Sequence, residues 1–140
     1  MSKLTTTAIA SETGGLPFAV RISVEGHIFA GDEPIEAGGT GLGPSPYQLL
    51  TSALAECTAM TVRWFARQHD VPLDHVSVEV VHSREQVEGR AGLVDTFNKT
   101  IKIKGDALTE DQLQRLHDVA SKCPVQRTLE AGSIIVTRPG

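Results

Sequence analysis

The residues of this 140-residue chain best suited to chemistry are its two cysteines, Cys57 and Cys123, which lie 66 positions apart. A thiolate is a strong nucleophile and a reductant, and two thiols brought together can cycle through a sulfenic acid and a disulfide. In that chemistry one thiolate attacks the distal oxygen of a peroxide and becomes a sulfenic acid, and the other condenses with it. The competing reading is structural, because free cysteine is commonly buried and inert, a small hydrophobe in a core. The spacing excludes a CxxC unit. In a reducing compartment such a pair fits free thiols or transient redox chemistry better than a permanent staple.

Other constellations lack parts that their chemistry needs. Gly38 to Gly41 spells GxxG, a spacing that KH modules use to clamp nucleotides, but Asp32, Glu33 and Glu36 precede it and no basic cluster lies beside it. With 13 Lys and Arg against 17 Asp and Glu, the formal charge of −4 weakens a phosphate-binding role, and no nucleic acid partner is expected. Neither GxxxxGK[ST] nor GxGxxG occurs, so no nucleotide is assigned to the glycines. The five histidines, His27, His69, His75, His82 and His117, never form HxxxH or HExxH. His75 and His82 have opposite parity on a regular strand, and neither cysteine has a local zinc-ligand partner, so no metal and no cofactor is expected.

The elements that must position the thiols are legible in outline. Residues 4–10 and 17–24 are rich in β-branched letters, Gly14 and Gly15 mark a turn, and Glu25–Gly26 suggests a tight return into HIFAG, giving an N-terminal meander. Residues 31–46 hold five glycines and three prolines and read as a loop. Ser45 then caps a long helix, with Pro46 at its first position and Gln48 as capping-box partner. Leu50, Leu54, Cys57, Thr61 and Trp64, broadened by Leu49, Ala53 and Met60, form the stripe expected to be buried, and the helix should end near His69. Strands are expected over 75–83 and 98–105, joined by a polar connection over 84–95. A second helix starts at Thr109 with Gln112 as its box partner and Leu113, Leu116, His117 and Ala120 as its stripe. Pro124 suits the first turn of a third, placing Cys123 at its cap in the partial positive field of the terminus, and SIIVTR at 133–138 reads as a closing strand.

This order is α+β, and with no repeat or independent linker it is expected to form one domain over 1–140. The N-terminal letters lack the apolar run of a signal peptide and no stretch approaches a membrane span, so a cytoplasmic location away from the membrane is expected.

The segments GPSPYQLLTSALAECTAMTVRWFA and SKCPV, in that order, resemble the OsmC/Ohr family of thiol peroxidases, and specifically the OsmC-like subgroup with its DEP, GG and GPSPYQLL approach to the first helix. The resemblance covers nearly the whole chain. It implies an intertwined α+β homodimer, with cysteine-bearing helices central and sheets packed around them. It further implies reduction of organic hydroperoxides to alcohols, and in some members of hydrogen peroxide to water. Cys57 matches the peroxidatic cysteine and Cys123 the resolving cysteine, which closes an intrasubunit disulfide that an external dithiol, such as a lipoyl-bearing protein, reopens. The alternative is a noncatalytic dimeric binding or structural protein that keeps the fold.

One departure bears on activation. The family usually pairs a glutamate in the first turn of the long helix with an arginine that stabilises the thiolate, whereas SPYQLL puts Tyr47 and Gln48 in that neighbourhood. A cysteine without its cationic partner stays near its ordinary pKa, with little thiolate at neutral pH. Arg21, Arg63 and Arg67 are the spatial candidates to replace the arginine. Glu56 adjoins Cys57 in sequence, but successive helical positions point about 100° apart, so adjacency does not make it a base.

Overall fold

The computed structural model describes residues 5–140, in two compact units that divide between Leu50 and Thr51. The first carries β1 (Ala8–Glu12), β2 (Val20–Val24) and β3 (His27–Gly31) as an antiparallel meander in the order β1-β2-β3. The expected meander is present; Leu4, the start of its first predicted strand, lies outside the described residues. Val24 pairs with His27, so Glu25 and Gly26 form a two-residue turn, and both have positive φ, 45° and 87°. That conformation suits the twist of a hairpin but disfavours a side chain at its first position. Glu25→Asn is expected to raise stability by about 0.5–1 kcal/mol, read from denaturant melts, because asparagine tolerates the left-handed region better than glutamate.

The glycine-rich approach to the long helix is organised by a carboxylate. Asp32 is buried and accepts from the amides of Glu33 (2.7 Å), Thr40 (3.2 Å) and Leu42 (3.2 Å) and from the Thr40 hydroxyl (2.6 Å). The loop, expected to contain no regular element, closes through one 3-10 turn at Ile35–Ala37. The Thr40 hydroxyl, opposed by burial and helped by the three amides, holds the Asp32 carboxyl below the ordinary aspartate range. A depressed carboxylate contributes stability that is present above its unfolded pKa and lost as pH falls through its folded one. Acid titration of the wild type should therefore include a loss below the ordinary aspartate range that Asp32→Asn, less stable at neutral pH, no longer shows. Far-ultraviolet circular dichroism against pH checks it.

Helix α1 spans Pro46–Gln68 and begins as expected: Gln48 N donates to Ser45 Oγ at 3.4 Å, and Ser45 N donates to Gln48 Oε1 at 2.9 Å. Gln48 is thus engaged in capping. The buried row of α1 is Leu54, Thr58, Val62 and Ala66, not the expected one: Met60 and Trp64 are exposed and Cys57 is half-buried. A row of i, i+4 positions carries the contact, and Thr58 is admitted to it because its hydroxyl is satisfied by Leu54 O at 2.8 Å.

The second unit continues with the hairpin β4 (His75–Gln86) and β5 (Leu93–Lys104), in register from His75 opposite Lys104 to Gln86 opposite Leu93. Both strands reach into the predicted polar connection, so half of it is ladder and residues 87–92 form the turn. His82 shares the parity of Val76, Val78 and Val80, and Asp95 opposite receives both His82 Nε2 (2.9 Å) and Arg84 Nε (3.1 Å). Helix α2 (Glu110–Ala120) has the full capping box expected of Thr109 and Gln112. Its buried residues are Leu116 and Ala120, whereas His117 and Leu113 face outward, which narrows the expected stripe. These two residues close a core with Val62, Ala66, Val71 and Leu73, against which Val76, Ile101 and Ile103 of the hairpin pack. Helix α3 (Pro124–Ala131) follows with Cys123 as its N-cap.

The predicted closing strand is absent. Residues 132–140 carry no regular structure, and Ile134, Ile135 and Val136 are 94%, 87% and 69% exposed. Their β propensity is genuine, but the segment pairs with none of the described strands, and a strand exists only when its backbone groups find a partner edge.

Candidate active site

Helix α1 presents Cys57 one residue before buried Thr58, and the tight Ser121–Lys122 turn after α2 delivers Cys123 to the start of α3. The two expected residues are thereby brought together. The two sulfurs lie close enough that each shifts the other's titration, and both are free thiols, with Cys123 wholly buried and Cys57 partly accessible.

The N-terminus of α3 serves both sulfurs. Gln126 N donates to Cys123 Sγ at 3.3 Å, and Val125 N donates to Cys57 Sγ. These are amides of the first turn, without partners inside their own helix, and they favour a negative sulfur. Cys123 also lies 3.5 Å from Thr58 Oγ1, and the Thr61 hydroxyl donates to Cys57. Behind Thr58 stands Lys99 of β5, whose Nζ donates to Thr58 Oγ1 at 3.1 Å and to Ala120 O at 2.7 Å.

These contacts separate the two thiols electrically. Burial pushes Cys123 up, but the Thr58 hydroxyl, the Gln126 amide, the Cys57 thiol and the Lys99 charge together bring it below the ordinary cysteine value. Burial pushes Cys57 up as well, and there the Val125 amide and Thr61 hydroxyl do not overcome it, because Cys57 shares its proton with Cys123 and faces the negative charge there. The two thiols titrate as a pair, and the fixed donors and the Lys99 charge favour the negative form on the Cys123 side.

The arginine candidates are placed differently. Arg63 donates from its two terminal nitrogens to Leu73 O (2.8 Å) and Asp74 O (3.2 Å), which occupies it at the end of the helix. Arg63 and Arg67 line a shallow groove of about 370 Å³ with Ala59, Met60 and Trp64. Arg21 lies on β2 opposite Ser11 and Ala30, in the other unit. Lys99 and Thr58 escaped the sequence reading. A signal for Lys99 was available: in NKTIKIKG it shares parity with the inward Ile101 and Ile103, whereas Lys102 and Lys104 alternate outward. Thr58 offered none, since a threonine on an apolar row is told from a surface residue only by its partners.

Such a pair exchanges two electrons, with a small oxidant at the accessible sulfur or with another dithiol, and the class defined is that of α+β proteins with a dithiol redox centre. Within that class the chain belongs to the OsmC family, described as OsmC-like protein, which matches residues 39–138 and so both thiol segments. Among solved structures it is similar to an organic hydroperoxide resistance protein OsmC from Legionella pneumophila (22% identity, TM-score 0.68), covering 92% of this chain and 91% of that one. It is also similar to an OsmC-like protein from Mycoplasma pneumoniae (23% identity, TM-score 0.67), covering 92% and 88%. A third relative, from Vibrio cholerae, is described as an organic hydroperoxide resistance protein and has captopril bound in one of its active sites; it is 25% identical with a TM-score of 0.68, covering 92% and 86%. Comparison with curated proteins gives no match. Among the described residues no helix is long and apolar enough to cross a membrane, and no three His, Cys, Asp or Glu side chains gather as metal ligands.

Proposed function

We propose that this protein is a thiol-dependent peroxidase that reduces organic hydroperoxides, and hydrogen peroxide as a smaller substrate, with Cys57 as the peroxidatic and Cys123 as the resolving thiol. The observation that carries the reading is the pair of free thiols of unequal access, set close enough that each shifts the other's titration. Access assigns the roles: a peroxide can approach Cys57, whereas the wholly buried Cys123 meets only its partner sulfur.

The cycle follows from the chemistry of the pair. Cys57 Sγ attacks the distal peroxide oxygen; an S–O bond forms, the O–O bond breaks, and the alkoxide leaves with the proton Cys57 gives up, as alcohol. Cys123 thiolate then attacks the sulfenic sulfur, forming the disulfide and expelling hydroxide, which solvent protonates. An external dithiol, lipoyl-type by family resemblance, returns both thiols by exchange through a mixed disulfide and is itself oxidised to a disulfide.

The same reading covers assembly and place. We read residues 1–140 as one OsmC-like domain acting as an intertwined homodimer in a reducing, cytoplasmic setting. Two exposed features support the dimer: the β-branched segment around Ile134, Ile135 and Val136, which pairs with no described strand, and Met60 and Trp64 on α1. Purified protein supplied with cumene hydroperoxide and dihydrolipoamide should consume peroxide catalytically and sediment as a dimer. Consumption no faster than that of free cysteine at equal thiol concentration would favour a noncatalytic dimer of the same fold.

A further inference from the structure

Lys99 occupies an unusual place for a lysine. On β5 it lies in the inward row with Phe97, Ile101 and Ile103, where an ammonium loses hydration and needs fixed acceptors in its stead. It has two. Ala120 O, at the last residue of α2, accepts at 2.7 Å, where the carbonyl end of a helix carries partial negative charge. Thr58 Oγ1 accepts at 3.1 Å, so the hydroxyl's single proton is turned away from Lys99, toward Leu54 O at 2.8 Å or Cys123 Sγ at 3.5 Å. The charged and titratable groups facing the ammonium are Cys123, Cys57 and Glu130. Burial lowers the pKa of Lys99 and these three oppose the drop, which marks electrostatic contact between the lysine and the thiols.

We propose that Lys99 is a positioning residue of the thiol centre: held by Ala120 O and acting through Thr58, it favours negative charge on Cys123 in the reduced pair. The resting charge state is a property of the reduced protein. Its place in the cycle rests on the peroxidase reading. There, as Cys57 Sγ attacks and the O–O bond breaks, the proton that Cys57 gives up leaves with the alkoxide as alcohol. Cys123 is left anionic beside the new sulfenic acid, ready to expel hydroxide, and needs no separate deprotonation before the disulfide forms.

The test is a pH titration of thiolate ultraviolet absorbance on the fully reduced dithiol protein, without peroxide, for wild type, Lys99→Met, Lys99→Arg and Thr58→Val. Lys99→Met should hold about tenfold less thiolate at neutral pH than wild type, as loss of a nearby opposite charge requires. Lys99→Arg should retain most of it, and Thr58→Val should shift in the same direction as Lys99→Met but less far. Cys123→Ser should remove the earliest titrating step. A folded Lys99→Met that titrates as wild type overturns the proposal, as does Lys99→Arg shifting as far as Lys99→Met, which would make packing the cause. If Lys99→Met does not fold, Thr58→Val decides, and an unchanged titration there overturns it. Failure of peroxide turnover with the titration shifts intact would sink the peroxidase reading and leave the lysine's role standing.

Discussion

Replacing Cys57 by serine should reduce peroxide turnover by on the order of a thousandfold or more, to the rate without protein, while Cys123→Ser should reduce the first equivalent of peroxide and then stall. The asymmetry comes from access and not from acidity. Cys123 is the more readily ionised sulfur, yet it is wholly buried, capped by the Gln126 amide and the Thr58 hydroxyl. Removing Cys57 therefore leaves a buried sulfur that peroxide cannot reach. Removing Cys123 leaves an accessible sulfur that has lost both the charge raising its pKa and its partner for resolution. Its sulfenic acid should persist long enough for trapping by dimedone, seen as an adduct on the Cys57 peptide in a mass spectrum. Equal turnover by wild type and Cys57→Ser would remove the assigned nucleophile.

Gly43→Ala should be among the most damaging single changes in the N-terminal unit, costing about 2–4 kcal/mol or preventing folding. A Cβ at Gly43 would lie 1.9 Å from Ala30 O and 2.5 Å from Ala30 C, both backbone atoms of β3 that no rotamer change can move. Relief requires separating the loop from the strand end, which breaks the bond from Asp32 N to Pro44 O and strains the cluster of donors around Asp32. Gly41→Ala is the control: its nearest neighbour is 3.9 Å away, and only the positive φ of 68° opposes a side chain, a cost of about 1 kcal/mol. Thermal melts of the two variants should differ accordingly. Similar melting temperatures would show that the loop yields at Gly43. The glycines that spell GxxG and GPSP are thus explained by close packing and turn geometry around a buried carboxylate, without a nucleotide.

Local chemistry made much of the fold legible before any coordinates. The boxes Ser45–Gln48 and Thr109–Gln112, Pro124 after a capping Cys123, and the Glu25–Gly26 turn each satisfy backbone groups that the chain itself exposes, so the information is contained within four or five residues. Burial was harder to read. The row on α1 passes through Thr58 and leaves Trp64 exposed, because the choice between adjacent helical rows is made by Leu116, Ala120 and the hairpin that pack against it, and these are far away in sequence. The same holds for residues 133–138, whose propensity for strand is real but which pair with none of the described strands.

The site divides in the same way. The two sulfurs were found because a cysteine's chemistry is carried by its own letter and because two segments resemble a family. The groups that set their charge were not found. Gln48, which with Tyr47 stands in the neighbourhood where the resemblance expects a carboxylate, caps a helix, and the cation near the sulfurs comes from β5, whose Lys99 lies 42 positions after Cys57 and reaches the pair through a threonine hydroxyl. Only the fold makes these groups neighbours.

The most direct measurement is peptide mapping by mass spectrometry, without prior reduction, after wild-type protein has been treated with a stoichiometric amount of organic hydroperoxide. One cross-linked species joining the Cys57 and Cys123 peptides of the same subunit, lost on adding dihydrolipoamide, is the expected result. Peroxide consumed with both thiols still free, or a sulfinic acid at Cys57 without that disulfide, would contradict the paired-thiol account.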